Sequence, residues 1–242
     1  MSQYRYDASF FAYTSASNQA SAEAVVALLK LWFPHVASVA DFGCGQGVWL
    51  AAWQGAGVAD VLGLDGDYVD RSQLRIAAEQ FRATDLVKPT ELGRRFDLVQ
   101  SVEVAEHLPA SAAAGFAQML GKHADLLLFS AAPPGQGGEH HVNEQPYDYW
   151  RNLLAAQGFI AYDCIRPHLA GRPEIQPWYR YNLVLYARPS VALPEAVRAT
   201  RVAEGQKIQD VSPLLYQLRK AVVRLIPPVL ADQLARWKAR RG

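Results

Sequence analysis

Apolar residues recur along this chain in two rhythms. Between 17 and 33, Val25, Val26, Leu28, Leu29 and Trp32 fall at helical spacing, and Pro34 ends the run. Beyond it, short apolar runs alternate with helical stretches. The runs predict strands over 36–42, 61–65, 96–102, 126–130, 159–165 and 182–187, with a short one over 81–83. Helices are predicted over 48–54, stopped by Gly55 and Gly57, over 111–120, and over 146–157, closed by Gly158. Strands separated by helices imply a parallel sheet covered on both faces. No helical pattern separates the last two strands. The stretch between them, 166–181, is rich in proline and aromatic residues, so an antiparallel pairing fits there. The expected fold class is α/β, with a seven-stranded, mostly parallel sheet and an antiparallel last strand.

From about 190 the pattern changes. Residues 189–212 are polar, with prolines at 189, 194 and 213, and are expected to form a linker. Over 214–226, Leu214, Leu215, Leu218, Val222, Leu225 and Ile226 share one helical face, and Arg219, Lys220 and Arg224 lie away from it. Pro227 and Pro228 break that helix, and a second short basic one is predicted over 229–241. The expected organisation is a domain over 1–188 with an N-terminal lid, a linker over 189–213 and a basic amphipathic helical tail over 214–242.

Charge sharpens that division. The formal net charge is only +1, yet 214–242 holds seven Lys/Arg against the single acid Asp232. The body is therefore mildly acidic and the tail basic, which argues against a nucleic-acid footprint over the body. The tail can rest on an anionic membrane surface, pack on the domain, or meet a second subunit as a homodimer contact. Cys44 and Cys164 do not make a disulfide framework, and their expected role is as small buried hydrophobes. No signal-peptide pattern and no membrane-spanning apolar run is present, so a cytoplasmic location, with membrane association through the tail, is the expectation.

The strongest local signal is ADFGCGQGVWL, residues 40–50. An apolar strand runs into Gly43, Gly45 and Gly47, and a helix starts at once. Such glycines let the backbone turn sharply and approach a ligand, and the free N–H groups at the helix start favour a polar or anionic partner. The spacing is GxGxG; a dinucleotide fingerprint needs GxGxxG, and position 48 is Val. Asp65 closes the next strand, where a carboxylate can accept from both ribose hydroxyls. Asp85 follows the short third strand, placed to accept from an adenine amino group.

DFGCGQG, the strand ending in Asp65, Thr84-Asp85-Leu86 and FDLVQSVEVAEHL together resemble the class I S-adenosylmethionine-dependent methyltransferases. The resemblance spans roughly 20–188. Within that family the chain is similar to bacterial enzymes of the broad methyltransferase-domain group often linked to glycan or secondary-metabolite clusters. It implies a Rossmann-like sheet with S-adenosylmethionine as donor and S-adenosylhomocysteine as product. By the same resemblance Asp41, Gly43, Gly45 and Gly47 line the methionine part of the cofactor. Asp65 holds the ribose and Asp85 the adenine, Gly66 and Leu86 flank the ring, and Ser101 and Glu103 face the reactive end. Tyr13 is the candidate lid residue. Glu106 is expected to complement a helix N-terminus and His107 to tie the turn.

The sheet places GGEHHVNEQPYDYW, 137–150, after the fifth strand. Ligands of open α/β sheets bind outside the carboxyl ends of the strands, so this loop lies over the site on the acceptor side. Methyl transfer to a hydroxyl gains ~10²–10⁴-fold from a base, and histidine has a suitable pKa. His141 is the favoured base and His140 the second candidate. Asn143, Tyr147 and Trp150 are expected to contact the acceptor, with Trp178 and Tyr179 of GRPEIQPWYRYN as a further lid. The competing reading has the histidines pinning the loop. No metal is expected: adjacent histidines point apart on an extended chain, and no second histidine cluster lies nearby in sequence. The expected activity is O-methylation of a small-molecule or saccharide hydroxyl. N- or C-methylation of a metabolite and a non-catalytic member of the fold are the alternatives.

Overall fold

The structure, a computed structural model, describes residues 8–227 together with 230 and 233. A long helix, α1 (Ala8–Trp32), precedes β1 (Ser38–Phe42), α2 (Val48–Gly55), β2 (Asp60–Asp65), β3 (Phe81–Ala83) and β4 (Leu98–Val102). Then come α3 (Ala113–His123), β5 (Leu126–Ser130), α4 (Tyr147–Ala155) and β6 (Ile160–Tyr162). Two short helices, α5 (Arg166–Leu169) and α6 (Pro177–Asn182), lead into β7 (Val184–Ala187), and α7 (Glu195–Arg198) and α8 (Leu214–Val223) follow. The seven strands form one sheet in the order β3-β2-β1-β4-β5-β7-β6. All neighbours pair parallel except β7, which runs antiparallel to both β5 and β6.

β1, β4 and β5 are buried along nearly their whole length because both faces of the sheet are covered, which is why they read as continuous apolar runs. Their side chains alternate between two cores. Val39, Leu98, Leu126 and Leu128 face Val25, Val26 and Leu29 of α1 and Leu50 and Trp53 of α2. Ala40, Phe42, Val99, Leu127 and Phe129 face Phe116 and Leu120 of α3 and Trp150 and Leu154 of α4. A polar thread crosses this interior. The indole of Trp53 donates to Gln100 (2.9 Å), and the Gln100 amide donates to Asp41 (2.8 Å), so each buried polar group is matched.

Several elements differ from the sequence reading. The first helix starts at Ala8, because no proline or glycine interrupts the stretch before 17. Tyr13 therefore lies on α1, with its side chain outside the described residues. The strand expected over 159–165 stops at Tyr162. The stretch 166–181 is not extended: Pro167 and Pro177 sit in the first turns of α5 and α6, where a missing N–H costs nothing. Arg166, fully buried, pins this region, with its guanidinium on Asp163 (2.6 and 2.7 Å) and on the carbonyls of Tyr181 and Gln209.

The stretch after β7 is strapped to the domain. Val202 N–H donates to Ala161 and Asp163 N–H to Thr200, and Val197 and Ile208 are buried, one in each core. The tail helix docks the opposite way round from its apolar stripe. Leu214, Leu215, Leu218, Val222 and Leu225 are all exposed, while Lys220 is 1% exposed. The cations turn inward because the domain offers them oxygen. Lys220 pairs with Asp210, Arg219 donates to the Gln136 carbonyl (2.9 Å), and Arg224 donates to the Pro134 carbonyl (2.8 Å). The helix predicted over 229–241 falls outside the described residues except at 230 and 233. No described helix is long and apolar enough to cross a membrane.

Burial raises Asp210, but hydrogen bonds from Lys220 and Ser212 outweigh it and hold the carboxyl below its ordinary value. Removing the buried cation leaves that carboxylate only its two bonds from Ser212 and takes away the tie between α8 and the stretch before it. Lys220→Ala should release α8, seen as faster hydrogen exchange over 214–223 with the sheet unchanged.

Candidate active site

The strand order reverses between β1 and β4, and open α/β sheets bind ligands at such a point, in a crevice outside the carboxyl ends of the strands. On one side lies the glycine turn. Gly43, Gly45 and Gly47 all have positive φ (96°, 53° and 82°), which L side chains rarely adopt. A Cβ on Gly43 would come within 2.2 Å of Val104, so the turn is also packed too closely for one. The amides of Gly43 and Cys44 donate to the Leu64 carbonyl, which ties the turn to the end of β2.

Asp65 organises this half. Its carboxylate accepts from the amides of Gly45 (2.7 Å) and Gly66 (2.7 Å) and from the Tyr68 hydroxyl (2.6 Å). Burial raises its pKa, and those three bonds oppose the rise. Oδ1 carries two donors and Oδ2 one. Asp85 stands at the end of β3 in a more open setting, bonded to Val87 N–H and 3.2 Å from Lys88. Leu86 beside it is buried. Asp41 is buried beneath the turn, and desolvation pushes it up to about 7, against the Gln100 hydrogen bond and with help from the Asp65 charge.

On the acceptor side β4 ends in Glu103, a non-glycine residue at φ 55°. This strained turn aims the carboxylate at Gln136 (2.6 Å) and Asn182 (3.1 Å). Asn182 in turn donates to Gln136 (2.7 Å) and accepts from Tyr147 (2.9 Å). Tyr179 packs edge-on against Trp49 with centroids 5.1 Å apart. Burial raises its hydroxyl, and the nearby Glu103 charge adds to the rise. Trp178 lies half-buried next to it.

The loop 131–146 is gathered on one carboxylate. Glu144 accepts from Gly135 N–H (2.7 Å) and Gly137 N–H (2.7 Å) and meets His141 Nδ1 at 2.8 Å. His141 is then brought against His107, with ring centroids 4.8 Å apart and planes at 86°. His107 Nδ1 lies 3.2 Å from the carbonyl of His140, a left-handed residue at φ 56°. Burial pushes His107 well below its ordinary value, and the His141 charge adds to this. The Val142 and Asn143 amides both donate to the Glu106 carbonyl. The Glu106 carboxylate itself is fully buried; among the described residues no side chain bonds either oxygen, and the backbone amides of Glu106 and Ala132 face it. Burial raises it well above its ordinary value, and the Glu103 charge adds to this.

Three expected roles change on this geometry. Ser101 is fully buried and donates to the Phe42 carbonyl (2.8 Å), so it joins β1 to β4 and does not face the reactive end. Trp150 packs against Phe129 inside the second core, 5.5 Å between centroids, because α4 buries that face against the sheet. Glu106 lies in a single 3-10 turn, Ala105–His107, well before α3 begins, so no α-helix N-terminus receives its charge. Asn143 is buried with its amide nitrogen unpartnered. Tyr68, Gln136, Glu144 and Asn182 escaped the sequence reading. Only Glu144 carried a signal, three residues after His141 and beside the loop glycines.

An open sheet in this strand order, with a glycine turn after β1 and a carboxylate closing β2, defines a class I methyltransferase architecture. The chain belongs to the methyltransferase-domain family, whose model, described as "Methyltransferase domain", matches residues 15–162. It is an S-adenosylmethionine-dependent methyltransferase. No curated protein matches it. Among solved structures, an O-methyltransferase family protein from Burkholderia thailandensis is similar at TM-score 0.58 and 15% identity over 76% of this chain; the match spans 59% of that protein. A sugar N-methyltransferase from Streptoalloteichus is similar at TM-score 0.58 and 16% identity, over 78% of this chain and 95% of that one. An amino pentose methyltransferase from Micromonospora echinaspora, bound to its methyl donor, gives 0.54 and 17%, over 78% and 99%. At these identities the likeness is one of fold.

Asp41 yields a pH signature. Its folded pKa stands above the ordinary 3.8, so its contribution is fully present below that value and is lost as pH rises through about 7. The cofactor-free protein should lose thermal stability between about pH 4 and pH 7, and Asp41→Asn should flatten that slope. For Asp65, loss of two hydrogen bonds to a charged acceptor costs about 2–4 kcal/mol. Asp65→Ala should therefore weaken S-adenosylhomocysteine binding by at least ~30-fold in a calorimetric titration.

Proposed function

We propose that this enzyme O-methylates a hydroxyl of a small molecule or saccharide. The observation that carries the reading is the pairing of His141 with Glu144 on the acceptor side of the crevice. A hydroxyl needs its proton removed or loosened before it attacks, whereas a neutral amine does not. Glu144 holds the Nδ1–H of His141, which fixes the tautomer and leaves the lone pair on Nε2. Acting alone, this imidazole takes the hydroxyl proton. When bound, S-adenosylmethionine supplies an activated sulfonium methyl and leaves as S-adenosylhomocysteine.

The protein's own part is placement. Gly43, Gly45 and Gly47 keep the backbone low beneath the methionine portion, Asp65 receives the ribose, and Asp85 and Leu86 border the adenine. Tyr179 and Trp178 wall the reactive end. Gln136 and Asn182 fix the Glu103 carboxylate there, and Asn143 and Tyr147 border the acceptor loop. His140 contributes through its carbonyl, which receives His107.

With hydroxylated and amino acceptors offered side by side, S-adenosylhomocysteine should form with the hydroxylated ones. His141→Ala should lower kcat ~100-fold or more, while cofactor affinity changes less than threefold. Turnover confined to amino acceptors, or full activity in the variant, overturns the reading.

A further inference from the structure

We propose that Glu106, His107 and His141 form a binding site for a divalent transition-metal ion at the acceptor end of the crevice. One donor atom from each of the three lies within 4.8 Å of the others. The residues come from two separate segments. The turn after β4 supplies Glu106 and His107, and the loop after β5 supplies His141. The two segments are bound together by the Val142 and Asn143 amides on the Glu106 carbonyl and by His107 on the His140 carbonyl.

Three features suit a cation. Glu106 is fully buried with no side chain bonded to either carboxylate oxygen and only backbone amides, of Glu106 and Ala132, turned toward it, so its charge lacks a cation among the described residues. Each histidine has its Nδ1 against an oxygen, the His140 carbonyl for His107 and the Glu144 carboxylate for His141. That is the outer-shell arrangement that orients metal-binding imidazoles and directs the Nε2 lone pair to the ion. Gly138 completes the cradle. A Cβ there would meet His141 Nε2, Cε1 and Cδ2 at 2.2, 2.5 and 2.7 Å. Those distances put it over the ring face and leave the in-plane direction of the lone pair clear.

Bonds of ~2.0–2.2 Å to one ion bring donors to roughly 3–3.5 Å of each other. Side-chain rotation about positions already within 4.8 Å closes that gap. Two imidazoles and one carboxylate suit zinc, manganese, iron or cobalt better than calcium or magnesium. Three protein ligands leave a position open beside Glu103, where an acceptor hydroxyl can bind and become more acidic. His141 would then be a ligand and not the base: the ion would make the bound hydroxyl more acidic, and its proton would pass to solvent. This last step rests on the O-methylation reading; the site itself does not.

The test uses the full chain, stripped with chelator, and titrated with cobalt(II), zinc(II) and manganese(II) in turn, without cofactor or acceptor. At least one ion should bind with one equivalent per chain, and cobalt should give a visible absorption band. Glu106→Gln, which keeps the shape, and His141→Ala should each weaken binding ~100-fold, with melting curves confirming that both fold. No binding by any of the three ions, or binding unchanged in both variants, overturns the proposal. Since binding is read without methyl transfer, loss of the O-methylation reading leaves this result intact, and the reverse holds as well.

Discussion

The crevice exists because the chain leaves β1 for β2 on one side and returns to β4 on the other. No crossover helix fills the space above that reversal, although the loops after β1 and β4 meet where Val104 packs on Gly43. Every functional group described above depends on that reversal. The glycine turn and Asp65 line one flank, and Glu103, Glu106 and His107 line the other. The polar thread Trp53–Gln100–Asp41 and the Ser101 bond to Phe42 hold β1 and β4 in register beneath the opening. The wide end of the crevice is therefore bought with a tightly tied floor.

The acceptor side is built on a different principle. The loop 131–146 has no regular structure, and a single carboxylate, that of Glu144, collects two of its amides and one imidazole. Two carbonyls, those of Glu106 and His140, then fasten it to the turn after β4. A loop held this way can present several side chains with the accuracy of a helix, since its backbone groups are satisfied by fixed partners. It also concentrates acids. Glu103, Glu106 and Glu144 stand close enough that Glu103 and Glu144 both raise Glu106.

The sheet was legible because its strands are short, apolar and punctuated by glycine, and the cofactor half was legible because glycine turns and strand-terminal acids have fixed spacings. Asp41, Asp65 and the three glycines sit where their spacing implied. Side chains whose role depends on a distant partner were not legible. Ser101 follows the apolar core of β4 and reads as a site residue, yet the strand's alternation turns it toward Phe42. Trp150 reads as a wall until the face of α4 is known. His107 and His141 are 34 positions apart, and nothing in the local pattern brings one to the other. The tail misled for a similar reason. Its apolar stripe is real, but Asp210 and the carbonyls of Pro134 and Gln136 outbid it for the inward face.

That reversed docking ties the tail to the chemistry mechanically. A Cβ on Gly135 would lie 2.1 Å from the Lys220 carbonyl, so helix and loop touch with no slack. The next residue, Gln136, receives Arg219 on its carbonyl and holds Glu103 with its amide. Arg219 of α8 and the Glu103 carboxylate are thus joined through a single residue, Gln136. The family match ends at 162, so the loop and Glu103 lie within it and α8 lies beyond it. The acceptor-side loop is thus held both by partners inside the matched segment and by a helix outside it.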